Sequence, residues 1–191
     1  KVKEVLEVPK ELTAKSYSIS DSANIKAENI RVEDGQFVFD YVSEANEIKD
    51  IRCGLPGLHN VENAVAAITI GLELGAKADV LKTAMGQFRG VKRRFDVHLK
   101  TDKVVYIDDY AHHPEELRAA IKAARTLHPD KKLTGIFQPH LFSRTRDFVD
   151  GFAAELDLLD EPILIEIYPA RELPIEGVTS KIIFDKMKNP N

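Results

Sequence analysis

The chain contains three strand-like stretches, KVVYIDDY (103–110), KKLTGIFQPH (131–140) and EPILIEIYPA (161–170). They are separated by two stretches with the spacing of amphipathic helices, HPEELRAAIKAARTLHP (113–129) and RTRDFVDGFAAELDLLD (144–160). Apolar strands that alternate with amphipathic helices are typical of parallel βαβ units, in which helices cover both faces of the sheet. We therefore predict a doubly wound α/β sheet in this part of the chain.

A polar group follows each of the three predicted strands. These groups are DDYAHHP (108–114), QPHLFSR (138–144) and YPARE (168–172). Open α/β sheets bind their ligands beyond the carboxyl ends of the strands. We therefore expect the three groups to converge at one edge of the sheet.

The region before this sheet has a different pattern. Residues 16–53 form short alternating stretches, which predict antiparallel strands joined by tight turns, and Asp34-Gly35 is the strongest turn signal. Apolar residues spaced four and three apart then predict a helix over 58–75, and a second helix follows over 78–88. We place the boundary between two domains after the basic stretch that ends at residue 96, giving domains 1–96 and 97–191.

The composition excludes several classes of protein. With 43% hydrophobic and 30% charged residues among 191, the chain has the composition of a globular protein rather than a disordered one. A net charge of −4 gives no overall electrostatic footprint for nucleic acid or an anionic membrane. Cys53 is the single cysteine, so no internal disulfide can form, as expected in the cytoplasm. Residues 1–15 lack the apolar core of a signal peptide.

The group after the first strand contains carboxylates and imidazoles. Asp109 could accept ribose hydroxyls, and His112 could move protons near neutral pH. A structural alternative is that Asp108 or His113 caps the following helix, which has Pro114 at its favoured first position. The histidines could also gather around a metal ion, but adjacent histidines diverge and no HExxH pattern supports this reading.

The second strand-end group carries two arginines. Arg144 and Arg146 lie beside a predicted helix start, where a guanidinium can form a bidentate clamp on a carboxylate or phosphate. The alternative is a solvated charge pair with Asp147 and Asp150. Arg93 and Arg94 lie at the junction of the two predicted domains, where they could bind phosphate or could simply be exposed charges on a linker.

Two asparagines lie at the start of the first predicted helix. Asn60 is a natural helix N-cap, so a structural role could explain it. Asn63 is a mediocre helix former, and its amide offers the donor and acceptor that an adenine edge requires. The chain has neither a GxxxxGK[ST] loop nor a GxGxxG loop after a strand. Residues alone therefore indicate a site for an anion or a nucleotide.

Four motifs, in this order and spacing, resemble the Mur ligases: GLHNVENAVAAITIGLELG (57–75), FRGVKRRFDV (88–97), VYIDDYAHHPEELRAAIKAAR (105–125) and FQPHLFSRTRDF (137–148). The resemblance extends from about Tyr17 onward. It implies a Rossmann-like parallel sheet with flanking helices, preceded by the antiparallel-strand and helical tail of the central ATPase domain. Residues 1–96 would then be the C-terminal part of that ATP-binding domain, and residues 97–191 an incomplete amino-acid-binding domain.

The resemblance also implies an activity. Among the Mur ligases, the motifs favour members that join L-alanine to UDP-N-acetylmuramate, using ATP and an acyl-phosphate intermediate in peptidoglycan synthesis. The family's phosphate loop and Mg²⁺ ligands have no counterpart here and are expected upstream, so this chain alone is predicted to be inactive. Two alternatives stay open: a related Mur enzyme that adds another amino acid or a recycled peptide, and a non-catalytic nucleotide-binding module.

The family's functional residues map onto specific positions. Asn63 resembles the adenine contact, with Asn60 as its supporting neighbour. Arg94 resembles the arginine that reaches the ATP phosphates, and Asp109 the aspartate that binds the ribose. Leu141 departs from relatives that have arginine there. The positions that would hold the incoming alanine are Tyr110, His112, His140 and Arg144.

Overall fold

A computed structural model describes residues 14–19 and 23–188 of the chain. The chain divides into two compact units, one up to Arg89 and one from Gly90 onward. The segment 90–96 therefore packs with the second unit, whereas the boundary between the two Mur ligase domains remains a prediction. The absence of a signal peptide was predicted from residues that lie mostly outside the described ranges.

The first unit contains a four-stranded sheet in the order β1-β2-β3-β4. Its strands are β1 (Tyr17–Ser18), β2 (Ile25–Glu33), β3 (Gln36–Val42) and β4 (Glu47–Cys53). The antiparallel prediction is confirmed for β2, β3 and β4, but the short β1 pairs with β2 in parallel.

The turn between β2 and β3 is the one that the sequence predicted. Asp34 and Gly35 have φ values of 51° and 72°. Positive φ at both central residues is what a two-residue hairpin turn requires, and it explains the Asp-Gly pair.

Two helices follow the sheet, α1 (Leu58–Glu73) and α2 (Ala78–Gln87). The predicted apolar stripe of α1 is buried at Val61, Val65 and Ile68. These side chains form a core with the sheet, where Phe39 and Ile51 have no exposed surface.

The second unit contains two strand pairs. Strands β5 (Asp96–Lys100) and β6 (Val105–Asp108) form an antiparallel hairpin, because the chain reverses direction at Thr101 and Val104. The sequence had predicted only parallel pairing for the stretch that contains β6, so this is a correction. Strands β7 (Thr134–Phe137) and β8 (Glu161–Leu164) pair in parallel, as predicted.

The described part of the second unit also contains four helices: α3 (Pro114–Leu127), α4 (Phe142–Asp147), α5 (Val149–Leu156) and α6 (Lys181–Phe184). The single helix predicted over 144–160 is wrong, because Phe148 has non-helical φ and ψ values of −117° and 19° and separates α4 from α5. The break accompanies two close contacts. The Phe148 ring lies edge-on to His113 at 4.6 Å, and Gly151 lies close to Pro114.

One face of the β7–β8 pair is well covered. Phe137 packs in a core with Phe152, Leu156 and Ile183. On the other face Ile136 is 71% exposed, so the prediction of helices on both faces is not met by the described residues. None of the helices in the described ranges is long and apolar enough to cross a membrane.

Candidate functional site

The loop after β6 is held by the carboxylate of Asp109. Its Oδ2 accepts a hydrogen bond from the Phe95 N–H at 2.7 Å, and its Oδ1 accepts one from the Ala111 N–H at 2.8 Å. The Tyr110 N–H also donates to the Arg93 carbonyl at 2.8 Å. Asp109 therefore joins the turn before β5 to the loop after β6, a structural role that the sequence did not indicate.

The predicted convergence of the three strand-end groups is observed. An isolated parallel bridge joins His140 to Tyr168, so the second and third groups lie side by side. The rings of His112 and His140 are 6.3 Å apart, and Tyr110 lies 5.1 Å from His112 and 6.4 Å from His140. Three of the four residues predicted to hold an amino acid are therefore brought together as an aromatic cluster.

The orientation of His112 is set by its own loop and by helix α3. Its Nδ1 lies 2.8 Å from the Tyr110 carbonyl, which can only accept, so Nδ1 donates. In the neutral ring this leaves Nε2 as a hydrogen-bond acceptor. The His112 N–H donates to Glu116 Oε2 at 2.9 Å.

Arg144, the fourth predicted residue, adjoins the same cluster. Its Nη1 lies 3.3 Å from His140 Nδ1. Burial lowers the pKa of His140, and the nearby charges of Arg144 and His112 lower it further. A neutral His140 can accept a hydrogen bond from Arg144 and hold the guanidinium. No salt bridge within 4.0 Å is found for Arg144 among the described residues, and the Glu172 carboxylate is near enough to interact with its charge.

Arg146 differs from Arg144. Its Nε donates to Asp147 at 2.8 Å, and its side chain is 55% exposed. The solvated charge pair considered for Arg146 is therefore observed with Asp147, whereas Asp150 pairs with Lys186 instead.

Helix α3 is capped by His113, which is one of the two structural alternatives that the sequence offered for the start of this helix. His113 is its N-cap and accepts a hydrogen bond from the Glu115 N–H, with Pro114 at the start of the helix. This leaves His113 a structural residue. The described ranges contain no group of three or more His, Cys, Asp or Glu residues placed to hold a metal ion.

Arg94 and Arg93 lie near the same loop. Arg94 Nη1 is 3.6 Å from Glu116 Oε1, and the Arg93 guanidinium lies 4.5 Å above the Tyr110 ring. Burial alone would raise the pKa of Glu116, but the hydrogen bond from the His112 N–H and the neighbouring positive charges outweigh it and lower that pKa. The ionised Glu116 therefore contacts both Arg94 and His112.

The two asparagines belong to the first unit. Helix α1 begins at Leu58 after Gly57, whose φ is 101°, so the N-cap interpretation of Asn60 is wrong. Asn60 lies inside the first turn and donates to the Pro56 carbonyl at 2.7 Å. Asn63 Nδ2 lies 3.5 Å from Asn60 Oδ1, so the two side chains are neighbours, and their roles at an adenine stay a prediction.

Sequence reasoning missed three residues of the second unit. Glu116 connects Arg94 to His112, the Tyr168 ring lies 5.5 Å from His140, and Glu172 accepts two hydrogen bonds from Ser143. The sequence did place Tyr168 and Glu172 near the site, because both belong to the strand-end group YPARE (168–172). No sequence pattern indicated that they contact His140 and Ser143.

Loops at the carboxyl ends of the strands thus bring an arginine, two histidines and two tyrosines together on an α/β module. The chain belongs to the Mur ligase family. Residues 93–191 match the glutamate ligase domain of Mur ligases, and residues 2–71 match the Mur ligase middle domain. The family prediction and the α/β prediction are therefore confirmed.

Named relatives make the similarity more specific. The chain is 52% identical over 174 residues to the UDP-N-acetylmuramate–L-alanine ligase of Flavobacterium johnsoniae, covering 91% of this chain and 39% of that protein. It is 54% identical over 176 residues to the enzyme of the same name from Parabacteroides distasonis, covering 92% and 38%. The chain spans about two fifths of the length of these curated relatives.

A solved structure supports the fold. The UDP-N-acetylmuramate–alanine ligase MurC from Thermotoga maritima aligns with a TM-score of 0.75 and 27% identity, covering 90% of this chain and 36% of that one. The architecture described above is therefore shared with a known Mur ligase.

Proposed function

We propose that this chain is part of an ATP-dependent ligase that joins L-alanine to UDP-N-acetylmuramate in the cytoplasm. The observation that carries the proposal is the placement of Arg144 beside His140 in a cluster with Tyr110 and His112. This arrangement suits a free amino acid, which carries a carboxylate and an amino group a short distance apart. The names of the relatives at 52% and 54% identity support the same substrate.

Each residue of the cluster has a role in the proposal. Arg144 binds the alanine carboxylate through its guanidinium, which neutral His140 holds in place. His112 Nε2, left free by the bond from Nδ1 to the Tyr110 carbonyl, can accept a hydrogen bond from the amino group.

The reaction itself follows from the substrates. The carboxylate of UDP-N-acetylmuramate takes the γ-phosphoryl group of ATP, the bond between the β- and γ-phosphates breaks, and ADP leaves as an acyl phosphate forms. The alanine nitrogen, as the free amine, then attacks the carbonyl carbon, the C–O bond to phosphate breaks, phosphate leaves with the electron pair, and the nitrogen loses one proton to become the amide. Positioning the amine against the acyl carbon is the contribution of this chain's residues.

ATP contacts are part of the same proposal. Asn63 with Asn60 would contact the adenine, Asp109 the ribose and Arg94 the phosphates. Asp109 keeps this capacity although it accepts two backbone N–H groups, because each carboxylate oxygen has a second lone pair. Mg²⁺ would support the phosphate chemistry, but the described residues offer no cluster for it, so every step assigned to this chain uses its own side chains.

The test measures phosphate release by the full-length enzyme with ATP, UDP-N-acetylmuramate and a panel of amino acids. We expect L-alanine to be preferred, and Arg144→Ala to raise its KM strongly, because a buried partner of a charged group is worth about 2–5 kcal/mol. Arg146→Ala is the matched control and should leave the KM unchanged, since Arg146 pairs with Asp147.

Other outcomes would favour the alternatives. Preference for a different amino acid or a peptide would indicate a related Mur enzyme. Nucleotide binding without any amino-acid-dependent phosphate release would indicate a non-catalytic module. The 191-residue chain by itself should release no phosphate in this assay, and L-alanine-dependent release from it would contradict the proposal that it is only a part of the enzyme.

A further inference from the structure

Glu172, which the proposed mechanism does not use, is bonded to the helix that carries Arg144. Its carboxylate accepts hydrogen bonds from the Ser143 backbone N–H at 2.9 Å and from the Ser143 hydroxyl. Ser143 lies in the first turn of helix α4 and directly precedes Arg144. The contact therefore holds the backbone beside Arg144 and does not involve its guanidinium group.

Helix α4 lacks a cap of its own. Its N-cap residue is Leu141, which makes no side-chain capping bond and has a φ of 74°. A positive φ is unfavourable for a leucine, so the start of this helix must be held by surrounding bonds. Because α4 has only six residues, its own hydrogen bonds give it little stability.

The backbone of the third strand-end group supplies some of these bonds. The Leu141 N–H donates to the Tyr168 carbonyl at 3.0 Å, and the Tyr168 N–H donates to the Pro139 carbonyl at 2.8 Å. Glu172 adds the third connection, and it is the one made by a side chain. The second and third strand-end groups are thus bonded into one unit around His140.

We propose that Glu172 is a positioning residue that holds helix α4 so that Arg144 meets the carboxylate of the amino-acid substrate. The hydrogen bonds from the Ser143 hydroxyl and N–H lower the pKa of Glu172, so its carboxylate is ionised and accepts both. This inference rests on the proposed role of Arg144 in binding that substrate.

An electrostatic effect of Glu172 and a positioning effect predict opposite changes in the KM for the amino acid when Glu172 is made neutral. A negative charge near Arg144 opposes the binding of an anion, so removing it should by electrostatics alone lower the KM for the amino acid. If Glu172 positions helix α4, the same change should instead raise the KM for the amino acid. Glutamine has one acceptor oxygen and places an NH₂ group against a donor, so α4 would lose at least one of the hydrogen bonds that it donates to Glu172.

The experiment uses the full-length enzyme with saturating ATP and UDP-N-acetylmuramate, and L-alanine as the varied substrate. For Glu172→Gln we expect the KM for L-alanine to rise about tenfold, comparable to the loss of one hydrogen bond to a charged group. The kcat should stay within about threefold and the KM for ATP should not change, since the phosphate chemistry is untouched. Ser143→Ala keeps the hydrogen bond from the backbone N–H to Glu172 and every charge, so it should raise the KM for L-alanine less than Glu172→Gln does.

Two further variants separate positioning from a general effect on folding. Glu176→Gln alters an exposed carboxylate four residues along the same segment and should change nothing. Adding Glu172→Gln to Arg144→Ala should raise the KM for L-alanine no further than Arg144→Ala does, because the positioned group is already gone.

An unchanged or lowered KM in Glu172→Gln would overturn the inference, as would a fall in kcat with the KM unchanged. If Glu172→Gln fails to fold, an unchanged KM in Ser143→Ala overturns it. These results leave the proposed function standing. If the wild-type enzyme shows no dependence on L-alanine, the proposed function fails and the inference fails with it.

Discussion

Replacing Asp109 by Ala removes the acceptor of two backbone N–H groups, those of Phe95 and Ala111, and we expect a large loss of stability. A hydrogen bond to a charged group contributes about 1.5–3 kcal/mol, and we take the lower end because Asp109 is only partly buried. Two such bonds, at about 1.5 kcal/mol each, give a loss of about 3 kcal/mol. For a unit of this size, at about 4 °C or more per kcal/mol, the melting temperature should fall by at least about 12 °C.

The assay is thermal unfolding of the 191-residue chain without nucleotide, followed by circular dichroism. Asp109→Asn keeps one acceptor oxygen and should lose about half as much stability. Asp108→Ala is the matched control, because the Asp108 carboxylate lies 3.8 Å from an exposed Arg93 and surface pairs contribute about 0–1 kcal/mol. A melting temperature for Asp109→Ala equal to that of Asp108→Ala would refute the structural role of Asp109.

The same variant then separates two roles in the full-length enzyme. If Asp109 also binds the ribose, Asp109→Ala should raise the KM for ATP at a temperature where the protein stays folded, with little change for the UDP-sugar. A stability loss with an unchanged KM for ATP would leave Asp109 as a structural residue alone.

Three further predictions concern stability and titration. Arg118→Ala should lower the urea midpoint because it leaves the buried Glu155 carboxylate without its partner, and adding Glu155→Leu should restore most of the loss. Arg144→Ala should raise the pKa of His140, followed by NMR titration of its ring protons, since one cause of the lowered pKa is gone. Because that folded pKa lies below the unfolded value, the stability from neutral His140 should be lost as pH falls below about 6.5 in the wild type, and less so in Arg144→Ala. Gly54→Ala should destabilise the chain by about 2 kcal/mol or more in urea unfolding, because the added Cβ would lie 2.1 and 2.8 Å from backbone carbonyl oxygens.

The sequence predicted what depends on local pattern. The Asp34-Gly35 turn and the buried stripe of α1 follow from backbone preference and helical period, and both are observed. The convergence of His112 and His140 was predicted from the rule that parallel strands end at one edge, and it is observed although β6 and β7 belong to separate strand pairs.

The rest depends on contacts between distant residues. The break at Phe148 has no proline or glycine to mark it, and it goes with the packing of His113 against the Phe148 ring. The N-cap prediction for Asn60 used a correct preference, but Gly57 ends the preceding loop three residues earlier and the amide of Asn60 bonds instead to the Pro56 carbonyl. Neither periodicity nor propensity carries such information.

The carboxylates around the cluster accept hydrogen bonds from the protein's own backbone, which favours the proposed binding of an anion although the chain is acidic overall. Asp109, Glu116 and Glu172 each accept a backbone N–H from a strand-end loop, at distances of 2.7–2.9 Å. A carboxylate that accepts backbone donors stabilises a loop and exposes less negative charge to a ligand, because those donors partly offset its charge. Arg144 remains outside the salt bridges of the described residues. The acidic residues therefore stabilise the loops, and under the proposed function Arg144 is the residue that binds the substrate carboxylate.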